Sequence, residues 1–537
     1  MPRYSYKPFA YATPPELRGA RPQRRPVVIV GAGPVGLAAA IDCALRGVPC
    51  VVLDDNDVVS LGSRAICWSK RTLEIFDRLG VGERMVEKGV TWKVGRLFHG
   101  DREVWSFDLL PEAGHKMPAF INLQQYYVEQ YLVERAADFP DLIDLRWKNR
   151  VTGVSPRPDG VTARIETPDG GYELEADWLV ACDGARSPVR AMIGLDFEGR
   201  VFEERFLIAD VEMEADFPSE RWFWFEPPFH GGRSALLHKQ PDDIYRIDLQ
   251  LGPDADPEEE RKPEHVVPRI SKVVGGRPFE LDWVSVYTFQ CRRLDRFVHG
   301  RVVFAGDSAH IVSPFGARGG NGGIQDADNL VWKLAMVVRG EAPESLVATY
   351  DEERVFGADE NIRNSARATS FMTPKTQMER IFRDSVLELA AGHEFARRLV
   401  NSGRLSRPCS LEGMSLQTPA GEGQGVAPGM AMLDAPVDGP RGGWLLNHFG
   451  GGVGLMAVEA DLPQRLPDGV AGLVVAKQAR PLPAGATMLV DGEGLVAARY
   501  GAGSVYLIRP DQHVAARLVR PDATAIEAAL KRATGRA

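Results

Sequence analysis

The stretch that decides the fold is Val27-Val-Ile-Val-Gly31-Ala-Gly33-Pro-Val-Gly36-Leu-Ala-Ala-Ala-Ile-Asp-Cys-Ala-Leu-Arg-Gly47, close to the start of the chain. Residues 27–30 are all apolar and predict a short buried strand. Apolar residues then follow at the spacing of a helix, which Gly47 ends, and residues 50–53 predict a second strand. This order requires a right-handed crossover between parallel strands, with the glycine-rich loop at a carboxyl strand end, where ligands bind.

The glycines of this loop, Gly31, Gly33 and Gly36, match the pattern Gly-x-Gly-x-x-Gly. Missing side chains let a pyrophosphate approach backbone N–H groups at the positive end of the helix. Asp54 ends the second strand, 18 residues after Gly36, where a carboxylate can accept both hydroxyl protons of an adenosine ribose. The pair predicts a dinucleotide site. Asp55 is an alternative ligand, and a glycine-tolerant core turn followed by a surface aspartate is the alternative to the whole interpretation.

Two later strands also run into a carboxylate. Trp178-Leu-Val-Ala-Cys-Asp183-Gly184 ends an apolar strand in Asp-Gly, which by itself is an ordinary turn. Arg301-Val-Val-Phe-Ala-Gly306-Asp307 ends another strand in Gly-Asp, and such an aspartate could hold a ribityl chain.

A second glycine-rich segment follows, with Pro314, Gly319, Gly320 and Asn321 just ahead of apolar residues at helical spacing. A helix N-terminus offers unpaired N–H donors and about half a positive charge, which suits the negative charge of a reduced isoalloxazine at N1 and O2. Capping of a long helix is the alternative reading of this segment.

Composition limits the functional class. The 537 residues exceed one hydrophobic core and predict two or three domains. The balance of 64 Lys+Arg against 73 Asp+Glu, with no long basic run, argues against nucleic acid as a partner. The six cysteines show no Cys-x-x-Cys and no metal-type pairing with histidine, which predicts reduced thiols in the cytoplasm and no metal site. The most apolar segment, 27–41, is shorter than the ~20 residues of a membrane span, so no membrane association is expected.

The order Gly-rich loop, Asp-Gly and Gly-Asp resembles the class A FAD-dependent aromatic hydroxylases, which include p-hydroxybenzoate, 3-(3-hydroxyphenyl)propionate and phenol hydroxylases. The resemblance spans about residues 27–400. It implies that FAD is held by the residues already singled out together with Arg64 and Gln125, which would contact its phosphates and ribityl chain. By the same resemblance, the ADP half of FAD is bound by Gly31, Gly33, Gly36 and Asp54. Asp307, which follows Gly306, would meet the ribityl and pyrophosphate portion, and Asp183 and Gly184 would serve both FAD and the passing NAD(P)H. The flavin ring would be lined by Pro314, Gly319, Gly320 and Asn321.

The resemblance also implies the fold class: a Rossmann-like FAD-binding α/β domain, an inserted and mostly antiparallel β substrate domain, and a small C-terminal thioredoxin-like α/β domain. We expect an N-terminal arm over 1–25, the FAD-binding domain over 26–199 and 300–400, the inserted sheet over 200–299, a linker over 401–427 and the thioredoxin-like domain over 428–537. The last has strand candidates at 473–476, 487–490, 504–508 and 514–519, and a final helix opened by a capping box from Thr524 to Glu527. Without Cys-x-x-Cys it should have no redox role.

The implied reaction is hydride transfer from NADPH or NADH to FAD, addition of O2 at flavin C4a, and transfer of one oxygen to an electron-rich ring such as a phenol. The inserted sheet would cover the substrate. Its candidates for contact with a flat ring are Trp222, Trp224, Phe225, His230, Arg246 and Tyr287, which core packing explains equally well. His310 is expected to be a packed residue rather than a base. A reductase or epoxidase of the same fold and a non-catalytic sensor of aromatic compounds are the alternatives, and a homodimer is left open.

Overall fold

The structure is a computed structural model that describes residues 4–19, 23–62, 64–252, 254–400, 405, 407–421 and 423–537, without the side chains of residues 200, 202 and 203. The strands are β1 Arg25–Val30, β2 Cys50–Leu53, β3 Cys67–Ser69, β4 Val90–Trp92, β5 Val94–His99, β6 Arg102–Asp108, β7 Phe120–Asn122, β8 Ile143–Arg146, β9 Arg150–Arg157, β10 Gly160–Thr167, β11 Gly170–Ala181, β12 Glu198–Glu212, β13 Arg221–Phe225, β14 Ala235–Lys239, β15 Ile244–Gln250, β16 Glu280–Arg293, β17 Val298–His299, β18 Val302–Phe304, β19 His310–Ile311, β20 Gly454–Val458, β21 Ala471–Ala476, β22 Ala486–Val490, β23 Ser504–Ile508 and β24 Val514–Val519.

The α-helices are α1 Pro34–Leu45, α2 Lys70–Arg78, α3 Gly82–Lys88, α4 Gln125–Ala136, α5 Pro188–Met192, α6 Pro257–Glu260, α7 Pro263–Val273, α8 Gly319–Val338, α9 Ser345–Met372, α10 Gln377–Gly392, α11 Glu394–Val400, α12 Leu495–Tyr500 and α13 Ala523–Ala533. Short 3₁₀ turns lie at Pro15–Arg18, Pro228–His230, Gly306–Ser308 and Leu445–His448.

The first sheet contains the glycine-rich loop. Its strands run in the order β17-β18-β11-β1-β2-β8, and β1 pairs in parallel with both β2 and β11. The predicted strand, helix and strand around the loop are therefore observed, because the apolar strands are buried and the helix between them crosses over to the next strand. The carboxyl ends of β1, β2, β11 and β18 lie at one edge, as the sequence required.

The second sheet is mostly antiparallel and runs in the order β19-β16-β12-β15-β14-β13-β5-β6. It contains the strands expected within 200–299, and β5 and β6 extend it from an earlier part of the chain. β5 pairs in parallel with β13. One face packs against α7, and the other contributes side chains such as Phe206 and Leu236 to a cluster that includes residues of α9 and α10.

The C-terminal sheet has the strand order β22-β21-β20-β23-β24. All four predicted strands are present. The central strand β20 was not predicted, although its Gly454–Val458 segment is fully buried. The predicted capping box of the last helix is wrong: Asp522 is the cap and its side chain accepts a hydrogen bond from Ala525 N at 2.8 Å, so the helix begins before Thr524.

The segment expected to be a linker, 401–427, lies partly outside the described residues, as do parts of the expected arm over 1–25. Within it, Leu411, Leu416 and Val426 are buried against the rest of the protein. The described part of this segment therefore packs against the rest of the protein through buried side chains. The domain boundaries that the sequence suggests stay a prediction.

A buried charge network joins the C-terminal part to the helices of the first part. Arg509 pairs with Glu353 of α9 at 2.5 Å and with Asp511 at 2.6 Å, and Lys333 of α8 contacts Glu353 at 2.8 Å. All four side chains are 0–1% exposed. Burial lowers the pKa of Lys333 to about 8, and Glu353 raises it in part. Because α8 begins at the second glycine-rich segment, this network anchors a helix that reaches the candidate site.

Candidate functional site

A cavity of about 770 Å³ lies where the carboxyl ends of the first sheet meet one face of the second. Most of the residues predicted for the site line it together: Gly31, Gly33, Asp54, Arg64, Gln125, Asp183, Gly184, Arg246, Asp307, Pro314, Gly319, Gly320 and Asn321. Four predicted residues lie outside this lining: Gly36, Gly306, Trp224 and Tyr287. The fold thus gathers separate stretches of chain around one space.

The glycine-rich loop needs its glycines for two different reasons. Gly31 has φ +104°, and a Cβ there would lie 2.5 Å from Cys182 O. A Cβ on Gly36 would lie 1.9 Å from Gly31 O, so this glycine lets α1 pack against the loop. Gly33 is different, because a Cβ there meets no protein atom within 4 Å among the described residues. Its place at the uncapped N-terminus of α1 leaves room and N–H donors for an anion.

Asp54 lies at the end of β2 and lines the cavity together with Asp55. Its two oxygens accept hydrogen bonds from Ala32 N at 2.6 Å and from Asn56 N at 2.8 Å. Burial raises the pKa of Asp54, and these N–H donors lower it in part. Asp54 therefore fixes the glycine-rich loop as well as facing the cavity, and Asp55 stays open as the ribose ligand.

The other two carboxylates lie on neighbouring strand ends. Asp183 accepts a hydrogen bond from Val189 N at 2.9 Å with one oxygen, while its Oδ1 is buried and has no partner among the described residues. The Asp307 side chain is accessible from the cavity and lies in its wall, with protein on the other sides. Burial raises the pKa of Asp307, and His310 and Arg64 lower it in part.

The turn that presents Asp307 rests on a buried polar group. Asp326 accepts from Gly306 N at 3.0 Å and contacts His310 Nε2 and Arg354 Nε at 2.6 Å each. His310 is 1% exposed and is the packed residue that the sequence predicted. Gly306 belongs to this support rather than to the cavity wall.

The second glycine-rich segment begins α8. No side chain caps this helix end, and Gly319 and Gly320 occupy its first turn beside the cavity. Asn321 uses its own amide for the protein: its Oδ1 accepts from Ser69 N at 2.9 Å and its Nδ2 donates to Cys67 O at 2.8 Å. The uncapped N–H groups can stabilise a negative charge placed against the helix end.

Arg64 and Gln125 enter the cavity from the loop before β3 and from the start of α4. Gln125 accepts from Ala65 N at 3.1 Å and donates to Ser60 Oγ at 3.1 Å and to Glu129 Oε1 at 2.8 Å, so it holds the loop that carries Arg64. Burial raises the pKa of Glu129, and these donors lower it in part.

The predictions for substrate contacts on the second sheet need correction. Trp224 packs with Trp222 and Phe229 on the face turned away from the cavity, because side chains alternate along β13. Tyr287 lies on the cavity face, paired with Phe206, but packs into the core cluster there. Trp222 and His230 also lie outside the cavity lining, and Phe225 lines a neighbouring chamber instead.

Arg246 lines the cavity, but its guanidinium forms hydrogen bonds within the protein. It donates to both oxygens of Asp210, at 2.9 and 3.0 Å, and to Arg64 O at 3.0 Å. Arg246 therefore ties the second sheet to the loop of the first domain.

Sequence reasoning missed Arg221, His238 and Asp248, which line the cavity from three adjacent strands. A signal was available for one of them. In Ile244-Tyr-Arg246-Ile-Asp248-Leu-Gln250, two charged residues alternate with apolar ones, which places both charges on one face of a strand.

Comparison with known proteins agrees with this geometry. The family model described as "FAD binding domain" matches residues 24–365. The chain belongs to this FAD-binding family. A "Flavin-dependent monooxygenase" of Mycobacteroides abscessus is 33% identical over 357 residues, which cover 61% of this chain and 71% of that protein. A "3-(3-hydroxy-phenyl)propionate/3-hydroxycinnamic acid hydroxylase" of Mycolicibacterium smegmatis is 29% identical over 367 residues, covering 68% of this chain and 64% of that protein.

Among solved structures, the flavin-dependent monooxygenase PieE in complex with FAD and substrate superposes with a TM-score of 0.79 over 96% of this chain and 100% of its own, at 22% identity, and so supports the fold. The resemblance to FAD-dependent aromatic hydroxylases is confirmed, and the chain is an FAD-dependent monooxygenase. These relatives favour the hydroxylase over the reductase, epoxidase and sensor alternatives. Among the described residues, no helix is both long and apolar enough to cross a membrane.

Proposed function

We propose that this monooxygenase hydroxylates a phenolic or related aromatic compound, with NADPH or NADH and O2 as co-substrates. One oxygen atom enters the ring and the other leaves as water, while the nicotinamide supplies the two electrons. The observation that carries the proposal is a single cavity whose one end is backbone and glycine, and whose other end is a sheet face of apolar and charged side chains.

The residues present fit FAD. Gly33 leaves space at an uncapped helix end, Asp183 Oδ1 is buried without a partner in the described chain, and the first turn of α8 is uncapped. We assign the pyrophosphate to the glycine-rich loop, the ribose to Asp54 or Asp55, and the ribityl region to Asp307 and Arg64. When bound, the flavin supplies the electron transfer and oxygen activation that no side chain can supply.

The isoalloxazine would lie against the first turn of α8. There the N–H groups of Gly319 and Gly320 would stabilise negative charge on the flavin ring. The buried Asn321 fixes this turn to β3, so the positive helix end keeps its place during the reaction.

A side chamber of about 130 Å³ adjoins the main cavity and shares Arg221, Phe315 and Arg318 with it. Its other walls are mainly apolar: Leu97, Phe107, Phe223, Phe225, Phe371 and Met372 are among them. Aromatic walls favour a flat or apolar substrate through burial and ring contacts. We therefore propose an aromatic substrate that carries an apolar substituent.

We also propose that the protein works in the cytoplasm. None of the six cysteines forms a disulfide among the described residues, which suits reduced thiols in the cytoplasm. A homodimer is compatible with this proposal, and sedimentation of the purified protein would measure its oligomeric state.

The test is to follow NADPH and NADH oxidation, O2 uptake and product mass with a panel of phenols that includes 3-(3-hydroxyphenyl)propionate. We expect at least one phenol to accelerate oxidation roughly tenfold or more and to gain one oxygen atom. Matched methyl ethers of the same phenols are the control. A set of phenols that neither stimulates oxidation nor yields oxygenated product would contradict the proposal.

A further inference from the structure

The cavity face of the second sheet brings a small set of polar side chains together. Arg221 of β13 pairs across the sheet with His238 of β14, which pairs in turn with Arg246 of β15. Asp248 lies two residues after Arg246 and is opposite Leu236. All of them line the cavity.

Asp248 differs from the other carboxylate on this face. Asp210 is held by both ends of the Arg246 guanidinium, whereas Asp248 makes no hydrogen bond or ion pair within the described part of the chain, and its Oδ1 is buried. A buried polar atom without a partner costs about 1–3 kcal/mol. Such a group in a cavity wall is explained when a ligand supplies the missing partner.

Arg221 faces the junction between the cavity and the side chamber, and no carboxylate of the described chain forms an ion pair with it. Burial lowers the pKa of Arg221, and the negative charge of Asp248 is among the groups that raise it in part. One carboxylate and one guanidinium thus lie on the same cavity wall, each without a side-chain partner among the described residues.

The neighbouring groups leave Asp248 as the proton acceptor of this wall. Burial lowers the pKa of His238 well below its usual value, and Arg221 and Arg246 lower it further, so the imidazole is a weak proton acceptor. Burial raises the pKa of Cys67 to about 11, so that thiol stays protonated. Burial raises the pKa of Asp248 to about 6, while Arg246 lowers it in part. The other ionisable groups near this wall are Asp210, Asp307, Arg64 and Tyr287.

We propose that Asp248 takes the proton from a phenolic hydroxyl of the substrate and that Arg221 binds the resulting phenolate oxygen. The O–H bond of the phenol breaks, a new O–H bond forms on Asp248, and the electron pair stays on the phenolic oxygen beside the guanidinium. The ring of the phenolate is a stronger nucleophile in oxygen transfer than the ring of the neutral phenol. This inference rests on the proposed function and narrows its substrates to compounds with a free phenol.

The first test replaces Asp248→Asn, with Glu214→Gln, an exposed carboxylate after β12, as the matched control. General base catalysis contributes about 10²–10⁴-fold, so we expect Asp248→Asn to lower phenol hydroxylation at pH 7 about 100-fold or more with unchanged flavin content. Its residual rate should rise with pH as solvent takes over deprotonation, by about tenfold per pH unit. A variant with the wild-type rate and a flat profile would overturn the role of Asp248.

The second test measures binding alone, with 4-nitrophenol, whose phenolate absorbs visible light. Wild-type protein should bind the phenolate and lower the pKa of the bound phenol by about one unit relative to solution. Arg221→Met should abolish this shift, and Glu214→Gln should keep it. Failure of the wild type to bind phenolate, or an unchanged shift in Arg221→Met, would contradict the role of Arg221.

The proposed function and the role of Asp248 can fail independently of each other. If the wild type oxygenates no phenol, the proposed function fails, whatever the variants do. If the wild type oxygenates phenols and Asp248→Asn does so equally well, the function stands and this inference fails.

Discussion

The two ends of the cavity are built in different ways. At the dinucleotide end, backbone N–H groups and glycines form the wall. Side chains such as Asp54 and Asn321 accept hydrogen bonds from backbone N–H groups there and hold that backbone in place. At the sheet end, side chains form the wall, and Asp248 and Arg221 are left without protein partners in the described chain. The first end suits a cofactor that is bound through backbone groups, and the second suits recognition of a particular substrate by side chains.

The largest effect on FAD binding should come from the dinucleotide end. In Gly36→Ala, the new Cβ would lie 1.9 Å from Gly31 O, so α1 must shift away from the loop. We expect FAD affinity to fall by about 100-fold or more, roughly 3 kcal/mol, with a lower Tm. The flavin-to-protein absorbance ratio and fluorescence titration measure this.

Gly33→Ala is the matched variant, since its Cβ meets no described protein atom within 4 Å. The Tm of the flavin-free protein should stay unchanged while FAD affinity falls about tenfold. An equal loss of Tm in both variants would contradict the distinction between Gly36, which allows α1 to pack against the loop, and Gly33, which leaves room for the cofactor.

The next effect concerns the network that fixes α8 from the C-terminal part. Arg509→Met removes the guanidinium from Glu353 and Asp511, which are 0% exposed, and should destabilise the protein by about 3–5 kcal/mol. Thermal unfolding and the rate of limited proteolysis measure it. Arg398→Met, at an exposed pair on α11, is the control and should have almost no effect. Equal Tm values for the two variants would contradict the anchoring role.

A third comparison uses the two carboxylates of the sheet face. Asp210→Ala removes the carboxylate that two nitrogens of the buried Arg246 guanidinium contact, and should cost about 3 kcal/mol. Asp248→Ala removes a carboxylate that has no partner among the described residues, and should leave stability unchanged or slightly higher. Chemical unfolding of both variants gives the comparison, and a large loss in Asp248→Ala would mean that the protein itself uses this side chain.

The smallest effect is a pH dependence of stability. Because the pKa of Asp248 is raised from 3.8 to about 6 in the folded protein, its contribution is fully present below pH 3.8 and is lost as the pH rises to about 6. Relative to Asp248→Asn, the wild type should lose about 2 kcal/mol between pH 4 and pH 7, with allowance for partial exposure. Thermal scans of both proteins across this range measure it. A constant difference in Tm would contradict the raised pKa.

The contrast also explains what the sequence could predict. The glycines and strand-end aspartates were found from sequence because a tight turn before a helix admits few other residues, and their spacing shows in one stretch of chain. The proposed substrate wall depends on which strands pair. Arg221, His238 and Asp248 come from three strands, and their common face appears only with the register. Trp224 was misplaced for that reason, since its aromatic character fits either face of β13.

A crystal structure with FAD and a phenol bound is the most direct test of the claim that one end of the cavity binds the cofactor and the other end binds the substrate. The account predicts the pyrophosphate beside Gly33, the flavin ring against the first turn of α8, and the phenolic oxygen within hydrogen-bond distance of Asp248 and Arg221. A phenol whose oxygen lies away from both side chains, or a pyrophosphate away from the glycine-rich loop, would contradict it.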